Sequence, residues 1–214
     1  VDGVAPFIAP FADYIGVAIV EEGIHLRKMG IATPILVMGG TLREQLPDFF
    51  EYDLTLAASS LDLLTAANHL AESTRKRIKT HLKIDTGMER IGVREYEAEA
   101  LIEKSLACSQ FVEVEGIYTH FANSESHVVA SRSLAKQSPT LQEIASGLSP
   151  LAMTSATLQL ERFQEVLSIY EKRSEPHPPI RHTANSGATL LMPESYFDMV
   201  RPGVLFYGVY PARD

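Results

Sequence analysis

His81-Leu82-Lys83-Ile84-Asp85-Thr86-Gly87-Met88-Glu89-Arg90-Ile91-Gly92 decides the reading of this chain. Apolar and charged residues alternate along it up to Asp85, the period of two that marks a β-strand with one apolar and one polar face. A glycine turn then carries Arg90 to the strand's C-terminal end, which is where α/β barrels keep their chemistry. Lys83 and Arg90 at the mouth of such a barrel place two cations beside one carboxylate, a setting suited to an anionic cofactor. From these twelve residues alone, a salt-bridge cluster on an ordinary strand is an equally open reading.

Working outward, short apolar or β-branched runs return after helical patterns along the whole chain. Tyr14 to Val20 is the first, and Glu21 to Met29 after it reads as a helix closed by Gly30. Ile35 to Met38 and Leu54 to Ala57 follow, with Ser59 or Ser60 as N-cap of a helix over Leu61 to Lys76. Lys79 to Ile84 is the fourth run, Val114 to Thr119 the fifth, Ile180 to Ala184 the sixth and Met199 to Tyr207 the seventh. Strand, helix, strand at this spacing predicts parallel βαβ units with right-handed crossovers. No glycine-rich dinucleotide fingerprint follows the first strand, so a TIM-type (β/α)8 barrel is favoured over a doubly wound sheet. Such a barrel has eight strands and only seven runs are present, which leaves a gap between the runs at Tyr14 and Met199.

Asn123 to Ala156 breaks the rhythm, being rich in serine, threonine and alanine, and reads as a long excursion on the barrel rim. Helical periodicity resumes over Leu158 to Tyr170, and Glu171 to Pro179 is a proline-rich connector. The chain is thus expected to be one partial barrel domain over 1–214, with a rim insertion at about 123–156.

Composition narrows the class of partner. The 214 residues carry a formal net charge of −8, with 45% hydrophobic and 21% charged residues, as ordinary globular proteins do. No basic stripe marks a nucleic-acid surface, and no apolar run approaches a membrane span. Val1 to Pro10 lacks the basic start and apolar core of a signal peptide, and the single Cys108 fits a reducing, cytoplasmic setting. No metal-ligand set is assigned.

Polar groups recur at the ends of the later strands. Thr119-His120-Phe121-Ala122 ends the fifth with an imidazole, and His182-Thr183-Ala184-Asn185-Ser186-Gly187-Ala188 ends the sixth with amide, hydroxyl and glycine. Val200-Arg201-Pro202-Gly203-Val204 carries guanidinium, proline and glycine. Together they meet the needs of a phosphorylated aromatic cofactor. The hydroxyl of Ser186 and backbone N–H groups near it and Gly203 suit a phosphate, His120 can stack on a ring, and Arg201 can hydrogen-bond a ring nitrogen.

These runs, in this order, together with Gly16-Val17-Ala18 and Leu26-Arg27-Lys28-Met29-Gly30, resemble the barrel-domain signatures of bacterial alanine racemase, from about Tyr14 to Pro211. The resemblance implies a fold-type III pyridoxal 5'-phosphate enzyme that interconverts L- and D-alanine as a homodimer, supplying D-alanine for peptidoglycan. By matching positions it implies that Arg90 hydrogen-bonds the cofactor's phenolic oxygen and that Lys83 is a lysine often carbamylated to orient Arg90. His120 would stand beside the pyridine ring and bond Arg201, which faces the ring nitrogen. Ser186, Gly203 and Val204 would hold the phosphate, with Asn185 close by. Arg90, His120 and Arg201 are thus the candidate catalytic residues of this chain.

Two family bases have no match. The Schiff-base lysine belongs to a Lys-Ala-Asn/Asp-x-Tyr-Gly run on the first barrel strand, and the second base is a tyrosine of the partner's C-terminal β-domain. Racemisation needs a base on each face of the α-carbon, so the 214 residues alone are expected to be inactive and to be part of a longer enzyme. A racemase of serine or lysine shares nearly all these motifs, and a non-catalytic pyridoxal-phosphate barrel is the remaining alternative. Decarboxylases of this fold type pair the pyridine nitrogen with an acid, where this chain offers Arg201.

Overall fold

The computed structural model describes residues 2–124, 155–173 and 180–211. Its strands are β1 (Ile15–Val17), β2 (Ile35–Val37), β3 (Thr55–Ala58), β4 (Ile78–Asp85), β5 (Val93–Arg94), β6 (Val112–Tyr118) and β7 (Ile180–His182). All pair in parallel, in the order β1-β2-β3-β4-β6-β7, and β5 attaches to the C-terminal end of β4. The sheet is a curled partial TIM barrel. Helices α1 (Ala5–Ile8), α2 (Val20–Lys28), α3 (Leu46–Glu51), α4 (Leu61–Thr74), α5 (Ala98–Ala107), α6 (Ala156–Arg173) and α7 (Ser186–Leu191) complete it.

Local chemistry explains the element ends. Ser60 is the N-cap of α4, its side chain accepting from the Leu63 amide, and Arg75 closes the helix in the left-handed region at φ 53°. The predicted helix after the first strand is α2, and Gly30 at φ 85° follows it.

Each strand has two unlike faces. Outward residues Ile35, Val37, Leu56, Leu82, Ile84 and Ile117 join the helices in the main core. The inward set is smaller: Leu36, Ala57 and Tyr118, with Tyr14 and Met38 packed against them. Polar groups take the rest of that face. Lys83, Tyr118 and His182 lie in register across β4, β6 and β7, and His81 faces Gly116 one pleat below. A side chain at Gly116 would meet the His81 ring at 2.8 Å and the Ile180 carbonyl at 2.7 Å, so the buried imidazole requires glycine there.

The seventh expected strand, Met199 to Tyr207, is not a strand. The segment docks on the β7 region through Asp198 N to Arg181 O (3.0 Å) and Arg201 N to Ala184 O (2.9 Å), then turns into a 3-10 helix over Val204–Tyr207. Those contacts are three residues apart where a ladder repeats every two, and Pro202 has no N–H with which to continue. The seventh strand of the sheet is instead β5, two residues of the turn after β4. The rim insertion expected at 123–156 lies mostly outside the described residues, at 125–154.

Candidate active site

The turn after β4 is built around Asp85. Its Oδ1 accepts the amides of Gly87 (3.0 Å), Met88 (2.9 Å) and Glu89 (3.1 Å), with Glu89 left-handed at φ 59°. Gly92, at φ 121°, packs against β4 where a Cβ would lie 3.0 Å from the Asp85 nitrogen and the Lys83 oxygen, so the chain returns to pair as β5. Arg90 stands exposed between these fixed points. Asp85 is therefore the anchor of the turn, and its other oxygen lies 3.7 Å from Arg94.

Lys83 does not open onto the mouth as expected. It is buried, its amine donating to the Ile84 carbonyl (2.9 Å) and lying 5.0 Å from the centre of the Tyr118 ring. Burial, reinforced by Arg201, pulls its pKa down to about 7, so much of it is an uncharged amine at neutral pH.

Arg201 is fixed from several sides. Nη1 donates to Nδ1 of His182 (2.7 Å), and Nη2 donates to the carbonyls of Thr119 and Thr183 (2.9 Å each). Because His182 Nδ1 must accept, its proton sits on Nε2 and is donated to Nδ1 of His81 at 2.8 Å. Tyr118 stacks on His182 with ring centres 4.6 Å apart and an interplanar angle of 8°. Burial first, and then the Arg201 charge, hold all three site histidines neutral: His81 and His120 are pulled down to about 3 and His182 well below its ordinary value. Burial also lowers Arg201 to about 10, which leaves it a cation at neutral pH.

His120 was expected to bond Arg201; the structure gives that place to His182. His120 nevertheless lines the same cavity as Arg201 and Gly203, a space of about 340 Å³ also bounded by Tyr14, Gly16 and Met38. Ser186 is brought to the same region, its Oγ accepting the Val204 amide at 3.1 Å, while the Gly203 amide donates to Arg201 O. Asn185 is committed elsewhere. It caps α7 by accepting the Ala188 amide (3.0 Å), accepts the Ser124 hydroxyl (2.7 Å) and donates to Phe121 O (3.4 Å). A Cβ at Gly203 would enter open space and the residue has a negative φ, so nothing in the described chain demands glycine there.

The buried roles of His81, His182 and Tyr118 were missed from sequence. The one available signal was the two-residue spacing of His81 and Lys83, which puts both on one face of β4.

Residues 1–211 match the family model described as alanine racemase, N-terminal domain. This chain belongs to the alanine racemase family. It is 36% identical over 205 residues to alanine racemase 1 of Oceanobacillus iheyensis, covering 94% of this chain and 47% of that protein. It is 37% identical over 207 residues to the alanine racemase of Carboxydothermus hydrogenoformans, covering 97% and 49%. Among solved structures, the alanine racemase of Clostridium difficile 630 in complex with cycloserine aligns at TM-score 0.79 and 27% identity, over 99% of this chain and 52% of that one. That of Corynebacterium glutamicum aligns at 0.75 and 30%, over 98% and 52%. The chain thus spans about half the length of the alanine racemases it matches.

The arrangement has a feature that tests the cofactor implied by this family. Arg201 Nε is buried and has no hydrogen-bond partner among the described residues. An orphaned donor on a guanidinium fixed at its other nitrogens, beside a cavity, fits an acceptor such as a pyridine nitrogen.

Proposed function

We propose that this chain is the cofactor-holding barrel of an amino-acid racemase that interconverts L- and D-alanine with pyridoxal 5'-phosphate. The observation that carries the reading is Arg201, which lines the cavity and whose buried Nε has no hydrogen-bond partner among the described residues. The cofactor, when bound, supplies an electron-withdrawing ring that acidifies the α-hydrogen of an amino acid.

Arg201 would donate from Nε to the ring nitrogen and keep its proton, because a guanidinium at about 10 stays charged at neutral pH. An arginine there, unlike an acid, would hand no proton to the ring nitrogen, which suits a racemase because it discourages transamination. His182 and His81 hold the guanidinium in place and, being neutral, add no charge behind it. Arg90, on its exposed turn, would hold the phenolic oxygen, and His120 would flank the ring. Ser186 and the backbone at Gly203 and Val204 would take the phosphate in the open space above Gly203, the two amides exchanging their present acceptors, Arg201 O and Ser186 Oγ, for it. The uncharged amine of Lys83 is competent to add carbon dioxide, forming a carbamate and releasing a proton; the new carboxylate would then face the cations of Arg90 and Arg201. Neither family base has a matching position here, so no residue of this chain is assigned to the α-proton and the 214 residues alone are not expected to racemise alanine. The whole enzyme acts as a cytoplasmic homodimer whose D-alanine serves peptidoglycan.

The test is made in the whole encoded protein. It should bind pyridoxal 5'-phosphate, read from the cofactor's absorbance, and racemise alanine. Arg201→Leu should slow racemisation on the order of a hundredfold or more, because it removes a charged hydrogen bond to the reacting system. A parent protein that does not bind the cofactor, or an Arg201→Leu variant as fast as the parent, would sink the reading.

A further inference from the structure

Gln159 lies in the first turns of α6 and is fully buried, among neighbours on that helix that are apolar: Leu160, Phe163 and Val166. A primary amide in such a place must have partners, and its partners come from two other parts of the chain. Oε1 accepts the Ala122 amide at 2.9 Å, while Nε2 donates to the His120 carbonyl (3.2 Å) and to Thr86 Oγ1 (3.3 Å). Thr86 Oγ1 is in turn 2.8 Å from Thr119 Oγ1. One helical turn on, Arg162 donates to the Thr86 carbonyl at 3.0 Å and pairs with Glu95 at 3.3 Å.

The two segments joined in this way are those that carry the candidate site. Thr86 follows Asp85, whose carboxylate sets the 87–89 amides just before Arg90. His120 is held through its own carbonyl and through Ala122, and the carbonyl of Thr119 is a ligand of Arg201. No strand ladder spans this point, since β4 and β6 pair only up to Lys83 and Tyr118.

We propose that Gln159 is a positioning residue that fixes the Arg90 turn and the His120 turn to one another, so that Arg90 keeps a set place relative to the cavity that His120 lines. The functional weight of this rests on the cofactor reading above, while the mechanical coupling does not. The amide acts as a rigid bridge of defined length: its acceptor and donor are both used, so neither turn can shift without leaving a buried polar group unpaired.

The experiment is amide hydrogen exchange on the whole encoded protein, with pyridoxal 5'-phosphate affinity and the split between kcat and KM as further readouts. In Gln159→Met, which keeps length and removes both polar ends, exchange should rise about tenfold or more at Ala122 and also at Gly87, Met88 and Glu89. The latter amides make no contact with Gln159, so their response reports coupling. Exchange at Leu82 and Ile117 in the strands should stay at the parent rate, cofactor affinity should weaken, and kcat should fall more than KM rises. Acceleration confined to Ala122 with cofactor affinity unchanged, or acceleration spread evenly over β4 and β6, overturns the proposal. Thr86→Val decides the matter if Gln159→Met does not fold, since it deletes only the hydroxyl between Gln159 and Thr119: faster exchange at 87–89 supports the coupling and parent rates there overturn it. A parent protein that fails to bind pyridoxal 5'-phosphate would defeat the cofactor reading while leaving the exchange result to judge the coupling.

Discussion

The two faces of β4 are equally buried and chemically opposite. Leu82 and Ile84 point outward into helices and are fully buried in an apolar core, whereas His81, Lys83 and Asp85 point inward and are just as buried. Equal burial thus has opposite consequences. Outside, it removes apolar surface from water and stabilises the fold. Inside, it holds basic groups neutral at a cost and confines cationic charge to Arg201 at the cavity wall. Stability and chemistry are therefore carried by alternate residues of the same strand.

The largest effect that would test this division is on the outer face. Leu82→Ala should destabilise the protein by about 2–5 kcal/mol, from lost transfer energy and the cavity left behind. Folded molecules of the variant should keep the parent's cofactor affinity, because neither Leu82 nor Ile84 lines the cavity. A denaturant titration together with cofactor binding checks both halves. A variant of full stability but altered binding would show that the two faces are not separate.

How much of this was legible in sequence follows from which contacts are local. The strand and turn from His81 to Gly92 were readable because alternation and glycines act within a few residues. So was a serine cap for α4, offered as Ser59 or Ser60, of which the structure uses Ser60. The gathering of His120, Ser186 and Arg201 at one end was readable because parallel βαβ units place every strand's C-terminal end on one side. The strand expected at Met199 to Tyr207 was wrong because its apolar composition outweighed Pro202, whose missing N–H breaks the ladder. The partnership of Arg201 with His182 was hidden for another reason: it depends on the β6–β7 register, and nothing in either motif favours His182 over His120. Gln159 was equally hidden, since its partners lie 37 and more residues away. Asn185 was read as a phosphate neighbour, yet the same residue type is a strong N-cap and the structure uses it so.

An effect of similar size should come from pH and should belong to the inner face. His81 and His182 are both held below the ordinary histidine value, His81 at about 3. As pH falls below about 6.5 the unfolded chain takes up protons that the folded protein refuses, so stability is greatest above that value and is lost toward pH 3. The slope is about 1.4 kcal/mol per pH unit for each histidine. Lys83, at about 7, works in the same direction at higher pH: its cost is full below pH 7 and is relieved as pH rises toward 10.5. Urea titrations at pH 7 and pH 5 should show the loss, and the ring resonances of His81 and His182 should not titrate between those values. The penalty of Leu82→Ala, by contrast, should be the same at both. Histidine resonances that titrate near 6.5 would mean the inner face is wet, and the contrast between the faces would collapse.

The smallest effect is the most discriminating, because it concerns a group on the inner face that does nothing for the fold. Tyr118 is fully buried and its hydroxyl has no hydrogen-bond partner among the described residues. Its ring is well used: it stacks on His182 and lies 5.0 Å from Lys83 Nζ and 5.4 Å from the Arg201 guanidinium. Tyr118→Phe keeps the stack and the ring's contacts with Lys83 and Arg201 and removes an unsatisfied polar group, so stability should stay within about 0.5 kcal/mol of the parent or rise slightly. If the hydroxyl is instead held by a molecule bound in the cavity, the variant will be neutral without pyridoxal 5'-phosphate and destabilised with it. Thermal unfolding with and without the cofactor separates the two cases. A loss of more than about 1 kcal/mol in the absence of cofactor would show that the hydroxyl is satisfied within the fold, and that the inner face stabilises the protein as well as arming it.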